Sequence, residues 1–188
     1  MSESQAAAPG KDARNPQADG TEAPALPTSA EQLLARLNDL GIVSRTVDHA
    51  AVFTVDEAKN LRGELPGGHI KNLFLRNKKE EMWLVVVEED KRVDLKTLGE
   101  QLGAGKLSFG SADRLMTYLG VLPGAVTPFS IINDKENKVR VVLDEDLLTR
   151  DPVNCHPLVN TKTTALSPAD LLRFLEAEGH KPQLMRFA

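Results

Sequence analysis

The chain has 188 residues, of which 41% are hydrophobic and 27% are charged, with a formal net charge of -4 and a pI near 5.6. This length is enough for one domain with a sizeable core. An acidic chain lacks the broad basic surface that binds duplex DNA by counterion release. A single cysteine, Cys155, excludes an internal disulfide and a zinc site built from several thiolates.

The first residues differ in composition from the rest of the chain. Residues 1–27 are rich in alanine, proline, glycine and polar residues, without apolar periodicity. Such a segment buries too little surface to offset the entropy of ordering, so we predict a disordered tail and a domain over residues 28–188. No stretch approaches the roughly 18 apolar residues of a membrane span, and a signal-peptide pattern is absent. We expect a cytoplasmic monomer without a membrane partner.

Capping residues predict the helices. Ser29 and Gln32 have the spacing of a capping box, which predicts a helix that ends at Gly41. The same spacing recurs at Thr54 and predicts a short helix to about Leu61. Three later helices are predicted from pairs of a capping residue and a terminating glycine: Asp94 with Gly103, Ser111 with Gly120, and Ser167 with Gly179.

Apolar runs between the helices predict the strands. "IKNLFL" and "MWLVVVE", joined by "RNKKEE", predict one hairpin, and "FSIIN" with "VRVVLD" predicts a second. A further strand is expected around "LVNTKTTAL". The pattern predicts an α+β or mixed α/β domain with a largely antiparallel sheet flanked by helices.

A glycine turn leads into the first of these strands and raises the question of a site. The stretch "PGGHIK" places His69 and Lys71 at the start of a segment that is otherwise apolar. Lys71 must either extend its ammonium group to water or bind an anionic group. The residues alone leave both options open.

Three segments together resemble a known family: "PGGHIKNLFL", "GVLPGAVTPF" and "VNCHPLVNTKTTALSPADLLRFLEAEGH". They are similar to YbaK-like aminoacyl-tRNA editing domains, and most of all to free-standing prolyl-tRNA editing proteins that resemble the insertion domain of bacterial prolyl-tRNA synthetase. The resemblance runs from about Ser29 to the C-terminus. It implies a curved, mixed sheet with flanking helices, and hydrolysis of the ester that links a wrong amino acid to the tRNA 3′ end.

The resemblance also implies roles for individual residues. It implies catalytic roles for Lys71, His156 and Gly124, and substrate binding by His69, Asn72, Thr127 and Pro128. Lys71 would act as a positioned cation, and backbone N–H groups near Gly124 would stabilise the oxyanion. His156 would orient the aminoacyl group or a water molecule. The chain departs from its relatives at Ile70, where they usually carry Thr or Ser, and at Cys155, where they commonly carry an aromatic residue.

Two other kinds of chemistry are disfavoured by the residues. Cys155 is unsuited to act as a nucleophile with His156, because adjacent strand residues point to opposite faces. The histidines at 49, 69 and 156 lack metal-ligand spacing, so we expect neither a metal nor a cofactor. We expect His180 at the surface and the charged run "EEDKRVDLK" to be solvated.

The leading hypothesis is therefore a trans-editing deacylase that hydrolyses mischarged Ala-tRNA(Pro). Its partner would be the acceptor end of that tRNA, with prolyl-tRNA synthetase as a further candidate partner. Two alternatives stay open at this point: a deacylase for Cys-tRNA(Pro) or another small-amino-acid ester, and a non-catalytic module that binds tRNA ends.

Overall fold

The computed structural model describes residues 25–51, 54, 56 and 65–188. The predicted tail lies almost entirely outside these residues, as does most of the helix predicted from Thr54, so both stay predictions. The described chain contacts the domain from its first residues, because the Thr28 hydroxyl donates a hydrogen bond of 2.6 Å to the side-chain oxygen of Asn133.

The described residues form four α-helices, two 3-10 helices and eight strands. The α-helices are α1 (Ala30–Asp39), α2 (Leu95–Leu102), α3 (Ala112–Leu119) and α4 (Pro168–Ala177), and the 3-10 helices are Pro128–Asn133 and Glu145–Thr149. The strands are β1 (Ser44–Asp48), β2 (Gly68–Arg76), β3 (Met82–Glu88), β4 (Ser108–Phe109), β5 (Val139–Asp144), β6 (Val153–Cys155), β7 (Lys162–Leu166) and β8 (Gln183–Met185). None of the described helices is long and apolar enough to cross a membrane.

The helix starts agree with the predicted caps. Ser29 accepts a hydrogen bond from the Gln32 backbone while the Gln32 side chain accepts one from the Ser29 backbone, which is a complete capping box. The side chains of Asp94, Ser111 and Ser167 likewise accept backbone N–H groups in the first turns of α2, α3 and α4. The four predicted caps are therefore confirmed. They could be predicted because each cap depends only on residues close to it in sequence.

The strands form one mixed sheet in the order β1-β7-β6-β2-β3-β5-β8, with β4 paired to β2. Among the described strands, four pairings are antiparallel and three are parallel. The predicted hairpin of β2 and β3 is confirmed, with Lys71 opposite Val87. The predicted mixed α/β domain is therefore confirmed.

Two hydrophobic clusters pack on the two faces of the sheet. The first cluster joins one face to α1, α3, α4 and the 3-10 helix Pro128–Asn133, and the second joins the opposite face to α2. Along β3, alternate residues enter alternate clusters, so that Leu84 lies in the first and Val85 in the second. Both faces of the sheet centre are thus covered.

The predicted second hairpin is wrong. The segment "FSIIN" forms part of the 3-10 helix Pro128–Asn133, whose N-terminal cap is Thr127. Pro128 starts this helix because its fixed φ suits a first helical turn, and the Ser130 hydroxyl donates to the Thr127 carbonyl at 2.6 Å. β5 pairs instead with β3 and β8, both in parallel. A buried apolar run of this length has no period that separates helix from strand.

Two glycines set the contact between β2 and β6. Gly67 has a φ of +103°, and a Cβ atom there would lie 2.1 Å from the Pro152 carbonyl oxygen. A Cβ on Gly68 would lie 2.7 Å from Cβ of Arg150. The Gly68 N–H donates to the Pro152 carbonyl at 2.8 Å and begins the parallel pairing. The segment that begins β2 and the segment before β6 approach this closely only because positions 67 and 68 lack a side chain.

The expectation of a surface His180 is wrong, since only 3% of this residue is exposed. Its Nε2 lies 2.8 Å from Oδ2 of Asp134, which is also buried, and its Nδ1 lies 3.0 Å from the Glu178 carbonyl oxygen. Burial raises the pKa of Asp134, but hydrogen bonds from His180 and from two backbone N–H groups outweigh it and lower that pKa overall. The pair joins the end of α4 to the turn before β5.

Candidate active site

Along one edge of β2, the two partner strands leave the middle of the strand unpaired, and Lys71 lies in this interval. β2 pairs with β6 through Gly68 and His69, and with β4 through Leu75 and Arg76, on the edge opposite β3. Residues 70–74 lie between these two partners, and we call this interval the sheet opening. Lys71 and Asn72 both lie in it. Separating strands leave room for a ligand next to the backbone.

Lys71 and Asn72 face opposite sides of the sheet opening. Ile70 and Phe74 pack with the first cluster, so Asn72 shares that face, while Lys71 shares the face of Leu73 and the second cluster. The two side chains therefore approach the opening from its two sides.

The Lys71 ammonium donates a hydrogen bond to the backbone carbonyl of Lys91. Lys91 ends a turn closed by its own N–H, which donates to the Glu88 carbonyl at 3.0 Å. Its acceptor there is a neutral carbonyl group, which leaves the positive charge of the lysine available to an anionic group.

A buried ion pair holds this turn in place. The Lys91 ammonium lies 2.9 Å from Oδ1 of Asp144 and 2.5 Å from Oδ2 of Asp146. Burial alone would lower the pKa of Lys91, but the two carboxylates outweigh it and raise that pKa. Asp144 is fully buried and also accepts the Glu88 N–H at 3.1 Å. The expectation that the charged run is solvated is therefore wrong at Lys91.

Asn72 carries an unusual polar atom. Its side-chain oxygen Oδ1 is buried and is the one buried side-chain N or O atom in the described residues without a hydrogen-bond partner. Leaving such a group unsatisfied costs about 1 to 3 kcal/mol. A donor from a bound ligand would remove that cost.

His156 directly follows β6, beside the sheet opening. β2 and β6 run parallel with His69 opposite Asn154, and Lys71 and His156 each come two residues after this pair. Val153 and Cys155 belong to the first cluster, so His156 points to the other face, which is the face of Lys71. The structure thus brings these two predicted residues to one face, although they are distant in sequence.

The hydrogen bonds of His156 define its acid–base state. Its Nδ1 lies 2.9 Å from the Lys162 carbonyl oxygen, which can only accept, so Nδ1 carries the proton. In the neutral ring Nε2 therefore offers a lone pair. Burial lowers the pKa of His156, and the nearby His49, whose ring centroid is 6.0 Å away, lowers it further. The ring can accept a hydrogen bond or a proton at neutral pH.

His69 is held at the entrance of the same face. Its Nε2 donates to the Leu65 carbonyl at 2.9 Å, which leaves Nδ1 as an acceptor. On β6 its neighbour Asn154 donates to the Gly68 carbonyl at 3.1 Å and to the Pro66 carbonyl at 3.0 Å. These bonds fix the glycine turn that precedes β2.

The predicted loop from Gly124 to Pro128 has mixed exposure. Gly124 is partly exposed with a φ of +90°, a conformation that glycine adopts without strain. Thr127 and Pro128 are buried, and Thr127 caps the 3-10 helix through a 3.4 Å contact with the Phe129 N–H. Gly124 and Val126 are therefore the partly exposed residues of this loop.

The Cys155 side chain belongs to the hydrophobic core. The residue is 2% exposed and lies in the first cluster, on the face opposite His156. Burial raises the pKa of its thiol far above the ordinary value, which disfavours the nucleophilic thiolate. Within the described residues, no group of three His, Cys, Asp or Glu side chains is arranged to hold a metal ion.

A cleft of about 460 Å³ lies beside this face, over β1, β7 and β6. We call it the Arg45 cleft, and its lining residues are Val43, Ser44, Arg45, Val47, Leu65, Pro66, Asp151, Pro152, Asn154, Thr163, Ala165, Leu166 and Ser167. Arg45, Ala165 and Asn154 are directly paired across the three strands. Asn154 in turn neighbours His69, so the cleft adjoins the sheet opening.

Sequence reasoning missed several residues of this region. Lys91 is hidden in a charged run, and Arg45 and Asn154 lie on short strands with weak patterns. Asp144 offered a signal, because a carboxylate directly after the apolar run "VRVVL" needs a partner. The identity of that partner, Lys91, could not be predicted from the sequence.

Fold and candidate site together describe a mixed α/β domain in which a lysine, an amide and a histidine lie beside an opening in the sheet. The profile of the aminoacyl-tRNA editing domain matches residues 49–174, which is more than half of the chain. The chain therefore belongs to the aminoacyl-tRNA editing domain family. This confirms the resemblance seen in the three sequence segments, and with it an editing function on mischarged tRNA.

Individual relatives support the same family assignment. The chain is 40% identical to the prolyl-tRNA editing protein ProX of Acetoanaerobium sticklandii over 151 residues, which cover 80% of this chain and 92% of that protein. It is 28% identical to the multifunctional Ser/Thr-tRNA deacylase ProXp-y of Escherichia coli, over 79% of this chain and 89% of that protein. A crystal structure described as a candidate trans-editing enzyme for prolyl-tRNA synthetase shares the fold, with a TM-score of 0.65, 24% identity and coverage of 87% and 98%.

Proposed function

We propose that this protein hydrolyses Ala-tRNA(Pro) and releases alanine and intact tRNA. The observation that carries the proposal is the buried, unpartnered Oδ1 of Asn72 at the sheet opening, on the strand that also carries Lys71. An acceptor without a donor fits the α-ammonium group that every aminoacyl ester presents. Lys71 supplies the positive charge that holds the ribose-phosphate end of the same substrate.

The chemistry requires a water molecule aimed at the ester carbonyl. Its oxygen forms a bond to the carbonyl carbon, the bond from that carbon to the ribose oxygen breaks, and the ribose oxygen takes a proton. Nε2 of neutral His156 would orient the aminoacyl group or that water, since Nδ1 is bound to the Lys162 carbonyl. The ribose 2′-hydroxyl assists proton transfer, and the backbone at Gly124 donates to the developing oxyanion.

Alanine is the favoured amino acid for a physical reason. A synthetase site built for proline gains only about 1 to 3 kcal/mol per methylene, so it charges alanine at a measurable rate. A second site that admits a methyl group and excludes a pyrrolidine ring corrects this error. The protein would act after prolyl-tRNA synthetase has charged the tRNA, and we expect this to happen in the cytoplasm.

A panel of charged tRNAs tests the proposal. Single-turnover deacylation is measured with Ala-, Cys-, Ser-, Thr- and Pro-tRNA(Pro), and we expect Ala-tRNA(Pro) to react fastest and Pro-tRNA(Pro) to resist. Faster release of cysteine, serine or threonine would show that the ester of that amino acid, and not the alanyl ester, is the preferred substrate. Release at the buffer rate for every ester would overturn the deacylase function.

Asn72→Leu tests the observation itself. Leucine has a similar shape without the acceptor, so deacylation should fall on the order of 10-fold while the free energy of unfolding stays equal or rises. A purely structural role for Asn72 predicts the reverse, with lower stability. Chemical unfolding followed by circular dichroism gives the second measurement.

A further inference from the structure

Phe109 is an exposed aromatic residue on the short strand that bounds the sheet opening. The exposed fraction of this residue is 62%. β4 pairs with β2 through Phe109 opposite Leu75 and Ser108 opposite Arg76, so β4 lies at the end of the opening that is farther from β6. A single exposed aromatic residue is common on protein surfaces, so the surroundings of Phe109 decide whether it has a function.

Phe109 lies on the same face of the sheet as Lys71. The side chains of directly paired strand residues lie on one face, so Phe109 shares the face of Leu75. Leu75 and Lys71 are four residues apart on β2 and therefore also face the same side. The rise of a strand puts about 13 Å between these two positions. The aromatic ring and the ammonium group thus belong to one surface along β2.

The backbone of β4 is held closely against β2. The Gly110 N–H donates a hydrogen bond of 2.9 Å to the Phe74 carbonyl. A Cβ atom on Gly110 would lie 2.4 Å from the buried Phe74 ring, so only glycine allows this approach without displacing the ring. Ser111 then caps α3 by accepting the Arg114 N–H at 3.1 Å. Phe109 is therefore an exposed side chain on a fixed backbone, which lowers the entropy cost of binding a ligand.

Lysines lie on both sides of Phe109. Lys71 is at one end of this surface, and the exposed Lys106 precedes Phe109 by three residues. The segment of Lys106 adjoins the β2–β3 turn, because the Asn77 side chain donates a hydrogen bond of 2.9 Å to the Ala104 carbonyl. The two carboxylates of that turn are each paired with arginine side chains. An aromatic side chain between cationic groups is typical of sites for single-stranded nucleic acid.

We propose that the ring of Phe109 stacks on an unpaired base of the tRNA 3′ end, on the 5′ side of the nucleotide that carries the amino acid. This rests on the proposed deacylase function, because the ribose-phosphate held at Lys71 fixes where the strand starts. A stacked RNA strand rises about 3.4 Å per nucleotide and an extended strand more, so about 13 Å corresponds to roughly two to four nucleotides. Lys106 binds a phosphate group of the same strand. Stacking needs no particular base, so Phe109 recognises an unpaired strand rather than a sequence.

A binding experiment on the full chain tests the stacking contact without any reaction. The probe is a fluorescently labelled single-stranded RNA of four nucleotides that ends in an unesterified adenosine. We expect Phe109→Ala to weaken binding on the order of 10-fold, because the stack of one base on an aromatic ring is lost. Removing the base from one of the three preceding nucleotides should weaken wild-type binding equally and abolish the effect of Phe109→Ala. Equal binding of the intact probe by the wild-type protein and Phe109→Ala would overturn the proposal.

Further variants separate stacking from a general apolar contact. Phe109→Trp keeps an aromatic face and should retain binding, whereas Phe109→Leu keeps only an apolar side chain and should lose as much as Phe109→Ala. Leu184→Ala removes another exposed apolar side chain, on β8 at the edge of the sheet, and should leave binding unchanged. Full binding by Phe109→Leu would contradict stacking. Circular dichroism checks that each variant is folded.

Lys106→Ala tests the phosphate contact. Loss of one contact to a single strand should reduce the slope of the logarithm of the binding constant against the logarithm of the salt concentration by about 0.7. An unchanged slope would overturn this part of the proposal.

A comparison of two substrates links the contact to catalysis. The unpaired end of Ala-tRNA(Pro) reaches Phe109, while the alanyl ester of adenosine has no preceding nucleotide and does not. Phe109→Ala should lower kcat/KM for Ala-tRNA(Pro) on the order of 10-fold and leave the value for the adenosine ester unchanged. Equal losses on both substrates would overturn the proposal. If neither ester is hydrolysed while RNA binding still depends on Phe109, the deacylase proposal fails and the stacking site stands.

Discussion

The two halves of the sheet differ in how they are buried. The first six residues of β3 are all buried, whereas none of the five residues of β1 is. β3 lies between two hydrophobic clusters, while β1, β7 and β6 leave one face to the Arg45 cleft. A strand covered on both faces is a continuous apolar run, and a strand covered on one face can offer the other to a ligand. The sheet thus has a covered half, packed on both faces, and an open half, with one face at the Arg45 cleft.

The largest effect is expected from the covered half. Leu84→Ala in β3 removes a fully buried side chain and should lower the free energy of unfolding by about 2 to 5 kcal/mol. Val47→Ala, on the open face of β1, should cost about 1 kcal/mol or less. Denaturant unfolding of both variants measures the contrast, and equal losses would show that the two halves are equally packed.

Lys71 lies where the two halves of the sheet meet. Lys71→Ala should lower activity without lowering stability. We expect deacylation to fall on the order of 10-fold or more while the circular dichroism spectrum is retained, because a positioned cation is lost. Lys71→Arg should recover little, since the guanidinium places its charge elsewhere. Lys78→Ala, an exposed lysine of the β2–β3 turn, is the matched control. Normal turnover in Lys71→Ala would leave this lysine without a role in the reaction.

Lys91→Met should act through Lys71. Loss of its ion pairs with Asp144 frees the turn whose carbonyl binds the Lys71 ammonium, so we expect a several-fold loss of deacylation, below that of Lys71→Ala. Lys91→Arg should retain more activity, because it keeps the charge.

A double-mutant cycle distinguishes this indirect role from general destabilisation. In a Lys71→Ala background, Lys91→Met should add almost no further loss of activity at a temperature well below unfolding. Independent, multiplied losses would mean that Lys91 does not act by positioning Lys71.

The smallest effect is a pH dependence. Neutral His156 offers its Nε2 lone pair, and burial lowers its pKa, so the neutral form persists below the ordinary value of about 6.5. Deacylation should therefore be constant near neutral pH and fall only as pH drops through this lowered pKa. His156→Gln should remove this fall of activity at low pH. His49→Gln should move the fall to higher pH, because His49 disfavours the charged form of the His156 ring. A fall of activity that begins above pH 6.5 in the wild-type protein would contradict the role of neutral His156.

Local interactions explain what the sequence predicted well. The caps at Ser29, Asp94, Ser111 and Ser167 depend on neighbours within three residues, and "MWLVVVE" is apolar throughout. The segment "PFSIIN" was misassigned because a short buried run has no distinguishing period. β6 and β8, with three residues each, exist only through their partners.

The site was predictable as a set of residues and not as an arrangement. Family resemblance supplied Lys71, Asn72 and His156, but their relation depends on the parallel register of β2 and β6, which no local pattern encodes. The same holds for Lys91, whose partner Asp144 is distant in sequence. Non-local pairing is therefore the part of the site that sequence reasoning could not reach.

The glycines at 67 and 68 limit how this site could be redesigned. Any side chain at either position would collide with Pro152 or Arg150 and push β6 away from β2, which carries His156 away from Lys71. A library that seeks a new amino-acid preference should therefore hold both glycines constant. Ile70 is partly exposed and lies on a strand that the glycines already align, so it is the position to vary.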